Sequence, residues 1–206
     1  MHRYRLLNWL FIVCIMTAQA QTNSFAFKYR TPEKGDSLVT EAKTLLANQE
    51  FEEAIKKFRI LIKQEPKNYQ GYLGVAECLY YQNDYPNALN SVNAAISINS
   101  KAADAFRRRA KIHEKLHQYD IAIEDYTRAI ALEPSTCLFL SDRSDVYART
   151  GEYGKAIADL DKYLHLVKRP NPRIYYSRSI LYSKMGKKAE ADAERKRGDM
   201  IIDGAY

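Results

Sequence analysis

The chain has 206 residues, of which 46% are hydrophobic and 28% charged, with only 8 Gly and 6 Pro. This is enough chain for one or two domains with a packed core, and the scarcity of Gly and Pro suits a helical protein rather than a β one. A formal charge of +7 allows acidic partners but does not name one.

The first twenty residues stand apart. His2, Arg3 and Arg5 form a positive start, Leu6–Met16 is apolar, and Thr17–Ala18–Gln19–Ala20 closes with small residues in an A-x-A pattern. The apolar run is too short to cross a bilayer of about 30 Å as a helix. The pattern is that of a secretory signal peptide cut after Ala20. Its competing reading is a retained N-terminal anchor. Cys14 follows Ile12 and Val13 and so lacks the small residue that lipid attachment needs. The expectation is an extracytoplasmic protein, periplasmic or secreted, with no membrane span after cleavage. Residues 21–34 are polar and without helical period, and read as a linker.

From residue 35 onward the chain repeats itself. Pro66, Ser100 and Pro134 end successive apolar segments 34 residues apart. The same interval separates Ala54, Ala88, Ala122 and Ala156, and also Phe51, Tyr85, Tyr119 and Tyr153. Each unit carries apolar residues three and four apart in two successive stretches, the mark of two amphipathic helices. In the first unit these are Leu38, Ala42, Leu45 and Leu46, then Ala54, Ile55, Phe58 and Leu61. Proline then halts the second helix, because it lacks the N–H and disfavours helix in the residue before it. The units predicted are 35–68, 69–102, 103–136, 137–170 and, after a shift of one residue, 172–204. The last helix of the fifth is strongly polar, as a terminal helix facing water must be.

The period of about 34 with two helices per unit is that of a tetratricopeptide array, and the chain resembles that family over about residues 35–200. In the third unit Phe106, Ala110, His113, Ala122, Tyr126, Ala129 and Pro134 stand at the family's positions 4, 8, 11, 20, 24, 27 and 32. Leu61 and Tyr163 replace the small residue at position 27, and Ser100 and Lys168 replace the proline. The resemblance implies an all-α, right-handed solenoid of stacked antiparallel helix pairs. Two cysteines, Cys78 and Cys137, lie beyond the signal peptide at non-equivalent positions of the second and fourth units. They are expected to be isolated thiols, farther apart than the ~7 Å between Cα atoms that a disulfide tolerates, with Cys78 buried.

No constellation for catalysis is found. His113–Glu114–x–x–His117 has the spacing of a zinc peptidase helix, and such an enzyme is the alternative function. The string lacks a third ligand, however, and in the repeat frame His113 is a packing residue and His117 a turn residue. Asp125, Asp159 and Asp161 read as solvated. No metal or other cofactor is expected.

Binding is the leading reading. In the family, positions 2, 5, 9, 12 and 13 line the concave groove. Here they supply Tyr80 and Tyr81, then Arg107, Lys111, Glu114 and Lys115 with Arg108 beside them, then Ser141, Asp145 and Arg149, then Arg173, Tyr176 and Lys184. Tyr80, Tyr81 and Tyr176 are candidate apolar anchors. Arg107, Arg108, Lys111, Lys115 and Arg173 are candidate contacts to an extended acidic segment of another protein. The competing reading of Arg107–Arg109 is a solvated charge run. Chaperone-docking members of the family clamp a C-terminal carboxylate at positions occupied here by Val39, Lys43, Gly74, Asp104 and Arg108. Only Arg108 fits, so an Hsp70 or Hsp90 tail is not the expected partner. Export and the interleaving of acids argue against nucleic acid.

Overall fold

A computed structural model describes residues 34–169 and 171–203. The signal-peptide reading of 1–20 and nearly all of the linker reading lie outside the described residues. Among the described residues there are ten helices and no strand. The first unit is α1 (Lys34–Ala47) and α2 (Phe51–Gln64), and the second α3 (Tyr69–Tyr81) and α4 (Tyr85–Ile98). The third is α5 (Ala103–Lys115) and α6 (Tyr119–Leu132), and the fourth α7 (Cys137–Arg149) and α8 (Tyr153–Leu166). The fifth is α9 (Pro172–Lys184) and α10 (Lys188–Ile202). Each helix packs on the next, and α3 also touches the first helices of both neighbouring units, α1 and α5. None of the described helices is long and apolar enough to cross a membrane.

Local chemistry sets the boundaries. The side chains of Asn68, Asp84 and Asn171 accept hydrogen bonds from the backbone N–H groups of Gln70, Asn87 and Arg173, capping α3, α4 and α9. Between the two helices of every unit the chain passes through one left-handed residue. These are Gln49 (φ 66°), Asn83 (φ 63°), His117 (φ 59°), Gly151 (φ 80°) and Gly186 (φ 76°). A glycine adopts this conformation without strain; the other three meet a Cβ clash.

The core runs the length of the array. Ala54, Ala88, Ala122 and Ala156 are all fully buried, as their period requires. Phe58, Val92, Tyr126 and Leu160 fill position 24 of successive units behind them. At the first joint α3 comes close enough to α2 that a Cβ on Gly74 would lie 2.3 Å from the Phe58 ring. Cys78 is buried and unbridged, and burial pushes its thiol up to about 12.

A polar ladder crosses this core. In the third unit Arg109 Nε and Nη2 donate to both carboxylate oxygens of Asp125, at 2.8 and 2.7 Å, while Nη1 donates to Asn93 Oδ1 of the preceding unit at 2.9 Å. The fourth unit repeats it: Arg143 holds Asp159 through two bonds of 2.7 Å and reaches Thr127 Oγ1 at 2.8 Å. In the fifth, Arg178 pairs with Glu194 at 3.0 Å and with Asp161 at 2.8 Å. The first unit reverses the charges, with Lys57 Nζ 2.6 Å from Glu41. The second has Val75 and Ser91 in the same places. Asp125 and Asp159 are only 4% and 3% exposed, so the expectation that they are solvated is corrected. Each forms a bidentate pair with an arginine on the facing helix.

Candidate functional site

The first helices, α3, α5, α7 and α9, present one continuous face. At 100° per residue, positions 2, 5, 9, 12 and 13 of a unit fall together on it, and the ladder arginine at position 7 points the opposite way. Three hollows follow one another along this face. The first, about 190 Å³, lies between α3 and α5 around Lys43, Glu77, Asp104, Arg107 and Arg108. The second, about 210 Å³, is lined by Tyr80, Lys111, Glu114, Lys115, Asp145 and Arg149 among others. The third, about 400 Å³, opens between α7 and α9 beside Lys111, Leu138 and Arg173.

The predicted residues divide among these places. Tyr80, Lys111 and Lys115 meet in the second hollow, Arg107 and Arg108 line the first, and Arg173 lines the third. Tyr81 is half exposed and faces a separate hollow of about 460 Å³ with Leu46 and Phe51, on which its ring stacks at 5.7 Å. Tyr176 is not brought to any of them. Its hydroxyl donates to Asp199 at 2.7 Å, and a Cβ on Gly198 would sit 3.0 Å from its ring. It packs the fifth unit together instead.

The basic residues are engaged more than the sequence suggests. Arg107 Nε donates to Asp142 Oδ2 at 2.5 Å, and Lys111 lies 3.5 Å from the other oxygen of that carboxylate. Arg108 Nη2 donates to Glu77, with the guanidinium 5.1 Å from the Tyr80 ring centroid. Arg109 turns to Asp125 on α6. The run Arg107–Arg109 is therefore not a solvated charge run: its members hold carboxylates on three different helices. Lys115, Arg149 and Arg173, by contrast, form no ion pair among the described residues. The acids Glu77 and Asp142 are the groove residues that sequence reasoning missed. The signal for Glu77 was available, since it stands at groove position 9 of the second unit, whereas Asp142 stands at position 6, outside the groove positions.

Burial raises the carboxyl groups of Asp104, Glu114 and Asp145 above the ordinary carboxylate range. Glu114 also accepts a hydrogen bond of 2.5 Å from the fully buried Tyr126 hydroxyl, which opposes the rise. The face is thus a mosaic of paired charge with a few free cationic heads.

The repeat frame, the helix pairs and the ladder all point to one architecture, and comparison with known proteins names it. Models of the tetratricopeptide repeat match residues 39–108 and 103–136. This chain carries tetratricopeptide repeats. The TPR units at 137–169 and 171–203 continue the same helix pairs beyond the matched stretch. The human tetratricopeptide repeat protein 6 is 30% identical over 141 residues, which is 68% of this chain. The chain spans 27% of that relative's length. Among solved TPR folds, the crystal structure of MamA superposes with a TM-score of 0.71 at 21% identity, covering 85% of this chain and 98% of that one. YrrB, described as a TPR protein with an unusual peptide-binding site, superposes with a TM-score of 0.65 at 15% identity, covering 87% and 91%.

The TPR frame also accounts for the H-E-x-x-H string. Helix α5 ends at Lys115, and His117 lies beyond it with φ 59°, so the two histidines do not share a helical face. His113 Nδ1 is 2.7 Å from Gln118 Oε1, His117 Nδ1 is 2.9 Å from the Tyr119 hydroxyl, and Glu114 faces Tyr126. Three side chains with three separate partners do not converge on a metal. Among the described residues no group of three His, Cys, Asp or Glu side chains is placed to hold one. One detail of the packing expectation is corrected: Ile112, rather than His113, is the fully buried residue of that turn.

Proposed function

We propose that this chain is a non-catalytic interaction module that holds an extended, acidic segment of another protein along the face of its first helices. The observation that carries this reading is the second hollow. There Tyr80 stands beside Lys115 and Arg149, neither of which forms an ion pair among the described residues. A long, shallow face with an aromatic wall and free cationic heads suits a peptide better than a small molecule. A related fold with a peptide-binding site, that of YrrB, supports the same reading. A chaperone tail is disfavoured by the first hollow. The Asp104 carboxylate stands where the clamp needs a cation, and Arg108 is already held by Glu77.

The test replaces the free cations and spares the paired ones. Lys115→Glu with Arg149→Glu spares the Arg107–Asp142, Lys111–Asp142 and Arg108–Glu77 pairs, and helical content by circular dichroism is expected to stay unchanged. Capture of a partner by the native chain and its loss by this variant supports the reading. Equal capture by both moves the binding surface to another face.

We further infer that the protein is exported, on the strength of the Arg3–Ala20 pattern. Amino-terminal sequencing of the protein recovered from cell fractions tests this. A mature chain starting at Gln21 outside the cytoplasm supports it, and a cytoplasmic chain retaining residues 1–20 overturns it.

A further inference from the structure

We propose that the hollow between α7 and α9 is an anchor site, which takes one large uncharged apolar side chain of the segment bound along the groove. The proposal rests on the interaction-module reading and specifies where along the face that segment is fixed.

The site arises from a break in the repeat. Equivalent ladder residues of the third and fourth units, Arg109 and Arg143 or Asp125 and Asp159, are 34 apart. From the fourth to the fifth unit, Arg143 to Arg178 and Asp159 to Glu194, they are 35 apart. The added residue falls in the connection between α8 and α9. On the ladder side the joint stays closed, because Arg178 still reaches back to Asp161 at 2.8 Å. On the groove side it opens, into a space about twice as large as either of the other two groove hollows.

The walls of this space keep apolar surface in contact with solvent. Position 27 is fully buried at the first three joints, by Leu61, Ala95 and Ala129, whereas Tyr163 at the fourth is only half buried. Leu138, on the opposite wall, is 46% exposed. The hydroxyls of Ser141 and Ser177 face the space from α7 and α9 and make no hydrogen bond among the described residues. They are placed to bond the backbone of a segment lying across the opening. Charge selects against a charged side chain. Lys111 and Arg173 share these walls with Asp142 and Asp145, so the formal charges of the lining sum to zero. An apolar side chain gains the buried surface without separating these charges.

The direct test follows backbone amide shifts of the 15N-labelled protein on titration with N-acetyl-tryptophanamide, N-acetyl-leucinamide and N-acetyl-aspartamide. Shifts confined to residues 137–145 and 171–177 with the first two probes, and absent with the third, support the site. Shifts centred on Tyr80–Tyr81, or equal response to the aspartate probe, overturn it. Ser177→Phe and, independently, Ser141→Phe fill the space from either wall, with helical content checked for each. Either variant that folds is expected to abolish the response and to weaken a captured partner about tenfold or more. A partner held equally by the native chain and a folded filling variant overturns the anchor while leaving the groove reading standing. Probe binding at this joint with no partner captured through Lys115 and Arg149 does the reverse.

Discussion

Arg109 and Asp125 grip each other through two parallel hydrogen bonds across the pair of helices in the third unit. Their side chains are 26% and 6% exposed, so the pair is neither a surface ion pair nor fully sealed from water. Removing one partner strands the other. Asp125→Ala is expected to cost about 2–4 kcal/mol in urea unfolding. Adding Arg109→Leu should recover a good part of that loss, and the cycle of single and double variants measures the coupling. Additive losses would show that the two residues act apart.

The left-handed turn residues give an opposite expectation. His117 holds φ 59° just beyond α5, where its side chain bonds the Tyr119 hydroxyl and its ring meets the Tyr119 ring edge-on. Replacing it by glycine relieves a Cβ clash, and His117→Gly is expected to stabilise by about 0.5–1 kcal/mol. Gly151→Ala and Gly186→Ala should each lose about 1 kcal/mol, although nothing lies within 4 Å of the added methyl. Thermal midpoints of the three variants decide whether conformation or contact governs this turn.

At the first joint, contact governs. Gly74→Ala drives a methyl into the Phe58 ring, a fixed aromatic in the core. A loss of about 1–3 kcal/mol is expected. Phe58→Leu, which alone leaves a cavity, should cost less in the Gly74→Ala background than in the native one. An equal cost in both backgrounds would show that α3 shifts as a body to make room.

Glu114 makes stability depend on pH in a sense opposite to most acids. Burial raises its folded carboxyl above the ordinary value of 4.5. The folded chain therefore holds this proton more tightly than the unfolded chain. The associated stability is fully present below the ordinary value and is lost as pH rises through the folded one. Glu114→Gln keeps an acceptor for the Tyr126 hydroxyl and removes the titration. Its urea midpoint relative to the native chain is expected to rise between pH 4 and pH 7, and a constant difference would refute the assignment.

The architecture was legible because one physical rule writes it into every unit. Ala54, Ala88, Ala122 and Ala156 must be small for two helices to approach, and all four are buried as their spacing demands. The ladder escaped notice for a different reason. Its partners lie 16 residues apart, on facing helices, and neither belongs to the small-and-large pattern that defines the repeat. In sequence Arg109 is simply the last of three arginines. Only the repeat interval between Arg109 and Arg143, and between Asp125 and Asp159, marks them as a set. The groove was half legible. Position within a unit placed Tyr80, Lys111 and Lys115 together, but it could not show that Arg107 and Arg108 were already held by Asp142 and Glu77. Nor could it show that Tyr176 folds over Gly198. Those outcomes depend on which carboxylate or glycine the next helix offers, and hence on pairings between units.

An array of equal units presents the same view at every step of its screw, so a segment sliding along it would find several near-equivalent resting places. The single extra residue between α8 and α9 ends that degeneracy. It distinguishes one end of the array from the other and gives the face an origin from which position and polarity are counted.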